Sequence, residues 1–263
     1  MPVWGVVNQK GGVGKTTTTL NLAVALHGLG ARVLVVDCDP QGNATTGLGV
    51  RPGLGSGSLF DLIRASAEGD LEADEVRRCV VTTQDGPDLL PANLDLAGAE
   101  TVLLNAIGKE TVLREVIGRF RGQYDWILLD APPSLGILTI NILAASDALC
   151  VPMQCEYYAL EGLSQLIKTV ELVRRRIHPP LTIATVVLTM HDPRSRLTAE
   201  VEAEVRKFFG DKVAETRIPR NVRLSEAPGH GKSAVALFPQ SKGAEAYAEF
   251  AQEVVALAAS GAR

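Results

Sequence analysis

Short runs rich in apolar and β-branched residues recur along the chain at residues 3–7, 32–36, 126–129, 148–152, 182–189 and 213–218. Most are continuously apolar rather than alternating, which predicts parallel strands covered on both faces. Between them, apolar residues fall at helical spacing over residues 17–29, 111–120, 161–177 and 198–209. Alternation of this kind predicts an α/β fold with one open, mostly parallel twisted sheet and helices on both faces. Near residues 243–259, Tyr247, Phe250, Ala251, Val254 and Leu257 share one stripe, with Glu245, Glu249 and Glu253 on the other side. A helix lying on a membrane surface would carry Lys or Arg there, so this one is expected to pack on the sheet. The Gly/Ser-rich residues 47–58 are expected to form a mobile loop, too short to link two domains. With no internal repeat, a single domain over residues 1–263 is the expected organisation.

Composition narrows the function classes. The 263 residues are 46% hydrophobic and 21% charged, ordinary for a globular protein with a substantial core. A net charge of −4 excludes a globally basic nucleic-acid binder but leaves room for a local basic face. Cys38, Cys79, Cys150 and Cys155 form no C-x-x-C pair and have no histidine at metal-ligand spacing, so they read as buried thiols in a reducing compartment. The chain opens without a charged leader or cleavage site, and no apolar run reaches the ~20 residues that span a bilayer. A cytoplasmic location is expected.

The chemistry begins where the first strand ends. Lys10-Gly11-Gly12-Val13-Gly14-Lys15-Thr16 follows residues 3–7 directly, and Thr16 and Thr17 open a helix. Strand, Gly-rich loop and helix is the context in which such a motif becomes a phosphate site. Glycines let successive backbone N–H groups turn toward an anion, and the helix start adds its positive dipole end. Lys15 supplies a full charge at the β- and γ-phosphates, and the Thr16 hydroxyl is a magnesium ligand. The alternative, a merely flexible Gly-rich turn, lacks that context. In the common G-x-x-x-x-G-K-[ST] spacing the first glycine would stand at position 9, which is Gln9; a second lysine, Lys10, comes next.

That departure resembles the deviant Walker A motif of the ParA/MinD family of ATPases. Further matches are Val35-Val36-Asp37-Cys38-Asp39-Pro40-Gln41-Gly42-Asn43, Ile127-Leu128-Leu129-Asp130-Ala131-Pro132-Pro133-Ser134 and Ile218-Pro219-Arg220-Asn221-Val222-Arg223-Leu224-Ser225-Glu226-Ala227-Pro228. Together, over residues 3 to 257, they are most similar to the short chromosomal ParA group, also called Soj. Longer plasmid relatives carry a DNA-binding extension ahead of the phosphate loop; here nothing precedes the first strand, so a lone P-loop domain is expected.

Asp37 and Asp39 end a strand, at the sheet edge where α/β proteins bind ligands; position alone reads equally as an Asp-Pro turn. The resemblance implies that Asp39 orients the attacking water and that Asp37 supports the magnesium shell. It makes Asp130 the Walker B carboxylate that reaches the metal, and segments 41–49 and 131–136 the loops that sense the γ-phosphate. Lys10, otherwise a solvated loop lysine, would cross an ATP-sandwiched dimer to the partner's phosphates, an in-trans charge like an arginine finger. Adenine contacts are implied at Thr189-Met190 and at Pro219 to Asn221. Arg194, Arg196, Arg217, Arg220, Arg223, Lys232 and Lys242 form the candidate DNA surface, chiefly Arg194, Arg220, Arg223 and Lys232; on charge alone, interspersed acids such as Asp192, Glu215 and Glu226 favour an ordinary solvated surface. Arg174, Arg175 and Arg176 end a helix and read as structural.

The function implied is an ATP- and Mg2+-dependent partitioning ATPase, weak alone. Its ATP-bound homodimer would bind double-stranded DNA without reading sequence, on the nucleoid and not on a membrane, until a ParB-type centromere-binding protein stimulates hydrolysis. One rival is a MinD-like regulator positioning division machinery on membranes, which needs a basic C-terminal helix that this sequence lacks. A nitrogenase iron-protein type is suggested by Cys38 between Asp37 and Asp39, but no cluster-ligand cysteine follows Asp130. A metabolic kinase or synthetase on the same fold would need an acceptor pocket.

Overall fold

The computed structural model describes residues 2–51, 57–156 and 159–261. Its eight-stranded sheet consists of β1 (Val3–Val6), β2 (Val33–Asp37), β3 (Val81–Thr82), β4 (Asp88–Leu90), β5 (Trp126–Asp130), β6 (Ala148–Gln154), β7 (Thr182–His191) and β8 (Val213–Pro219). The order across the sheet is β3-β4-β2-β5-β1-β6-β7-β8. Every neighbouring pair is parallel except β3 with β4 at the edge. The continuous apolar runs behave as expected: β1, β2 and β5 are buried at every position.

The helices are α1 (Lys15–Gly28), α2 (Asn43–Gly47), α3 (Leu59–Glu68), α4 (Ala73–Arg78), α5 (Ala99–Asn105), α6 (Val112–Gly118), α7 (Ile137–Ala145), α8 (Ala159–Arg176), α9 (Arg196–Phe209), α10 (Val222–Glu226), α11 (Ala234–Leu237) and α12 (Lys242–Gly261). They cover both faces, so the core falls into two layers. On one face Leu62, Ile63, Leu113, Ile142 and Leu166 pack against Val36, Leu129 and Val151. On the other, Leu20, Leu22 and Leu26 of α1 and Tyr247, Phe250 and Val254 of α12 pack against Val35 and Leu128. The mobile loop expected at residues 47–58 falls partly on residues 52–56, outside the described residues; α2 occupies the positions just before it.

The last helix packs on the sheet as its stripe implies. Tyr247, Phe250, Ala251 and Val254 are buried, and the Glu253 carboxylate accepts from the backbone N–H groups of Glu215 (2.8 Å) and Thr216 (3.1 Å) on β8. Phe250 is fully enclosed, so Phe250→Ala is expected to cost about 3–5 kcal/mol, as buried aromatic truncations do. Denaturant unfolding measures it. A loss within about 0.5 kcal/mol, the range of ordinary surface changes, would take α12 off the core.

Register positions the functional edge. Asp37 and Asp130 are direct partners across β2 and β5, and Asp130 is also the partner of Val6 on β1. Two carboxylates and the start of the Gly-rich loop therefore lie in one row, at the C-terminal ends of three adjacent parallel strands.

Candidate functional site

The loop after β1 turns because two of its glycines adopt left-handed backbone: Gly12 has φ +74° and Gly14 φ +89°. Gly14 caps α1, so Lys15 begins the helix with its free N–H groups facing the loop. The Lys15 ammonium folds back and donates to the Lys10 carbonyl at 3.1 Å. It is nearly buried; that burial pulls its pKa down, while the nearby Asp130 and Asp39 carboxylates push it back up.

Beneath the loop, Asp130 is fully enclosed. Its oxygens accept from the Thr16 hydroxyl (2.7 Å) and the Thr19 hydroxyl (2.9 Å). Asp37 is equally enclosed: one oxygen accepts from the Asp39 N–H (3.1 Å), the other from both the N–H and the hydroxyl of Thr45 (2.7 Å each). Burial, more than any other cause, raises the affinity of both carboxyls for a proton, and Asp37 adds like-charge repulsion on Asp130. Two desolvated carboxylates at adjacent strand ends favour a nearby cation.

A magnesium ion fits this donor set. Among the described residues no group of three or more His, Cys, Asp or Glu side chains could hold a metal alone. Magnesium characteristically takes one or two protein oxygens and completes its shell with phosphates and water, and the touching Thr16 and Asp130 oxygens supply such a pair. Asp37, whose three donors come from Asp39 and Thr45, holds the segment after β2. Through the Thr45 hydroxyl, which also accepts from the Ala92 N–H at 3.0 Å, that hold extends to the chain beyond β4.

A cavity of about 400 Å³ opens above this row, lined among others by Gly11, Gly12, Gly14, Lys15, Thr16, Thr17 and Asp39, with Asn43, Thr46 and Pro228 closing one side. An adjoining cavity of about 160 Å³ is lined by Thr189, Met190, Pro219, Arg220, Asn221 and Tyr247, and shares Gly14 and Thr17 with the first. The structure thus brings most of the expected phosphate, metal and base residues to one continuous cleft. Met190 stands there in a left-handed conformation (φ +50°), one that L side chains rarely adopt and that concentrates at functional sites. Just before it, the Thr189 hydroxyl donates to the Val13 carbonyl at 2.8 Å, tying β7 to the phosphate loop. Asp39 accepts from the Gln41 N–H at 2.9 Å.

Lys10 and Val13 do not line the cleft. Val13 is buried under the loop, and the Lys10 ammonium pairs with the Glu156 carboxylate at the end of β6. The basic residues divide in a similar way. His191 partners Pro219, so Arg194 and Arg220 both lie beyond the ends of β7 and β8. Arg194 is almost fully exposed and leans on Asp192 at 3.2 Å, and Arg220 is also exposed. Arg223 pairs with Glu226 at 2.6 Å and lies over the Phe238 ring, 4.8 Å from its centre. Lys232 is half-buried. Arg196 is taken up by Glu200 and Arg217 by Glu202; with Arg206, His191 and Arg217 all donating to it, the Glu202 carboxyl is held down to about 2.

Residues that sequence reasoning missed include Thr19 and Glu156, and it gave Thr45 no contact of its own within the segment 41–49. Their neighbours in the chain carry the recognisable motifs; their partners are distant in sequence, and no local pattern signals them.

Comparison with known proteins follows this geometry. A family model described as an AAA domain matches residues 1–183. The chain is 49% identical over 251 residues to the sporulation initiation inhibitor protein Soj of Bacillus subtilis (strain 168), covering 95% of this chain and 97% of that one. It is 46% identical over 255 residues to the chromosome partitioning protein ParA of Caulobacter vibrioides (strain NA1000 / CB15N), covering 96% and 93%. Among solved structures, cobyrinic acid a,c-diamide synthase from Mycobacterium smegmatis with bound ADP and magnesium superposes with a TM-score of 0.85 at 37% identity, over 99% of this chain and 96% of that one.

Proposed function

Because the chain belongs to the ParA/MinD family of deviant Walker A ATPases, we propose that it is a chromosome- or plasmid-partitioning switch, in which ATP closes a homodimer that holds DNA until hydrolysis releases it. The observation that carries this reading is the cleft itself: a Gly-rich loop, Lys15, Thr16 and Asp39 line one cavity, Asp130 lies enclosed beneath it on the Thr16 hydroxyl, and the adjoining cavity reaches Arg220. ATP is the substrate. Its phosphates take the loop N–H groups and Lys15, its base takes the cavity of Met190, Pro219 and Asn221, and Asp39 orients water. Thr16 and Asp130 would hold magnesium, which would supply charge neutralisation at the phosphates. Lys10 leaves Glu156 to reach the nucleotide of the second subunit. Arg194, Arg220, Arg223 and Lys232 meet the DNA backbone. A ParB-type partner stimulates a slow intrinsic turnover.

A monomer with a few exposed arginines on a net-acidic chain is expected to bind DNA weakly, whereas a dimer doubles its phosphate contacts. Each neutralised phosphate contributes roughly −0.9 to the slope of log K against log salt. The expected result is affinity for plasmid DNA that needs ATP, ignores sequence and falls steeply with salt, with a shallower slope for Arg194→Ala. Co-sedimentation with plasmid DNA and with anionic liposomes, in ATP and in ADP, checks it. Equal DNA affinity in both nucleotides would refute the switch, and ATP-dependent sedimentation with liposomes alone would support the MinD-like alternative. Against that alternative, α12 buries its apolar stripe in the core and turns Glu253 to the backbone of β8.

The likeness to a diamide synthase favours a second reading, ATP-dependent synthesis on the same framework. That reading predicts turnover controlled by a small acceptor; the partitioning reading predicts turnover controlled by DNA and a protein.

A further inference from the structure

The segment that closes the phosphate cavity opposite the Gly-rich loop makes an unusual backbone contact. After α2, Gly49 takes φ +79°, and the turn is closed by bonds from the Gly49 N–H to the Thr46 carbonyl (3.0 Å) and from the Val50 N–H to the Thr45 carbonyl (3.1 Å). After α10 a short 3-10 turn, Ala227–His230, ends in the same way. Gly231 takes φ +66°, its N–H reaches the Pro228 carbonyl (3.0 Å), and the Lys232 N–H reaches the Ala227 carbonyl (3.3 Å). The two turns face each other glycine to glycine. A Cβ built on Gly231 would stand 2.7 Å from the Gly49 Cα, and one built on Gly49 would stand 2.8 Å from the Gly231 carbonyl oxygen. A third glycine, Gly47, packs in the same place, where a Cβ would meet Leu20 at 2.5 Å and Pro228 at 3.7 Å.

We infer that this Gly49–Gly231 contact is a joint that passes the position of the nucleotide-facing loop 41–49 to the basic segment 220–232. The inference rests on the function proposed above and names how its two surfaces communicate. On one side of the joint are Asn43 and Thr46, which line the phosphate cavity, and Thr45, anchored on Asp37. On the other is a continuous run through α10 that carries Arg220, Arg223 and Lys232. Beyond Lys232 the chain is pinned: the Ser233 N–H donates to Asp85 (2.7 Å) and the Val235 N–H to Asn21 of α1 (3.1 Å). A push at Gly231 therefore displaces the α10 side, where Arg223 is held by a single surface ion pair and a ring contact. Backbones without Cβ atoms meet directly, so little side-chain freedom is available to absorb the motion.

Gly231→Ala tests the joint, with Gly122→Ala as its control. Both add a Cβ at positive φ (+66° and +85°), but at Gly122 nothing lies within 4 Å of it. Amide exchange with ATP and Mg2+ against ADP should show segments 43–51 and 220–232 responding together in the unsubstituted chain. In Gly231→Ala the first response should remain and the second be lost. The ratio of DNA affinity in ATP to that in ADP should then fall toward one, a loss of about 5- to 150-fold if the coupling has the usual size, with ATP affinity and the ATP-dependent dimer retained. Gly122→Ala should keep the wild-type ratio. A segment 220–232 that ignores ATP in the unsubstituted chain overturns the joint, and so does a Gly231→Ala chain with wild-type exchange and ratio. Residues up to Pro228 line the cleft themselves, so the exchange reading that bears on the joint is that of 229–232; if those amides ignore ATP in the unsubstituted chain, the joint is overturned even where Gly231→Ala does not fold. An unsubstituted chain whose segments respond together but whose DNA affinity ignores ATP would keep the joint and remove the proposed DNA switch.

Discussion

Lys15→Ala is expected to abolish measurable nucleotide binding. Asp39 lines the phosphate cavity, and Asp37 and Asp130 lie fully enclosed beneath it, so the field there is acidic. Phosphates entering that field depend on Lys15 and a bound cation for compensation; the backbone N–H groups of the loop carry only partial charges. Truncating one member of a desolvated charge pair typically costs 2–5 kcal/mol or more, which is a loss on the order of 30- to several-thousand-fold in affinity. The substitution should leave folding intact, because among the described residues the Lys15 side chain makes one hydrogen bond, to the Lys10 carbonyl, and alanine suits a first helical turn. Fluorescent ATP-analogue titration and calorimetry check it. Affinity within three-fold of wild type would move the phosphate site away from this loop.

Asp39→Ala should have the largest kinetic effect. Asp39 lines the cavity, and among the described residues one of its carboxylate oxygens takes no protein donor, the other accepting from the Gln41 N–H. A carboxylate so placed can accept a hydrogen bond from water without losing its own support. Removing it should lower turnover by about 10²–10⁴-fold, the usual contribution of a general base, with ATP binding retained and the ATP-bound dimer accumulating. Single-turnover phosphate release and light scattering measure the two halves. Turnover within a few-fold of wild type would assign the water to another group. Asp37→Ala offers a contrast, because it breaks the anchor of Thr45. Its effect should include a disordered loop and weaker binding, not a stalled dimer.

Much of this was legible in the residues. Val3 to Val6, Val33 to Asp37 and Trp126 to Asp130 announce buried parallel strands because no position in them is polar until the last. The glycines and Lys15 follow the first of these directly, so the phosphate loop could be read with its context. The edge of the sheet was not legible. β4 has three residues between Pro87 and Pro91, and β3 has two, too short for any periodicity to emerge. Helices α3 and α5, on the same side of the sheet, were likewise not anticipated. The site's supporting contacts were hidden for a different reason. Thr45 with Asp37, Thr19 with Asp130, and Glu156 with Lys10 are defined by which strand lies beside which, and spacing along the chain does not encode that. The basic surface stays as divided as the sequence left it: Arg217 is held by Glu202, while Arg194, Arg196 and Arg220 are exposed, the first two beside Asp192 and Glu200.

The packing of α1 under α12 has a consequence for how the protein is made. The helix that presents the phosphate loop buries Leu20, Leu22 and Leu26 against Tyr247, Phe250 and Val254, and the Thr18 hydroxyl meets the Tyr247 hydroxyl 229 residues away. On a ribosome, the loop emerges early and its covering helix late. During that interval the part of α1's apolar face that α12 covers lies open beside the sheet, and nascent chains in this state are open to misassociation. Long-range closure of this kind also slows folding, since the loop entropy is lost before the contact is gained. Premature release of the chain before α12 should therefore yield no half-active ATPase but an aggregation-prone fragment, and nucleotide binding should appear in translation only as the last helix docks.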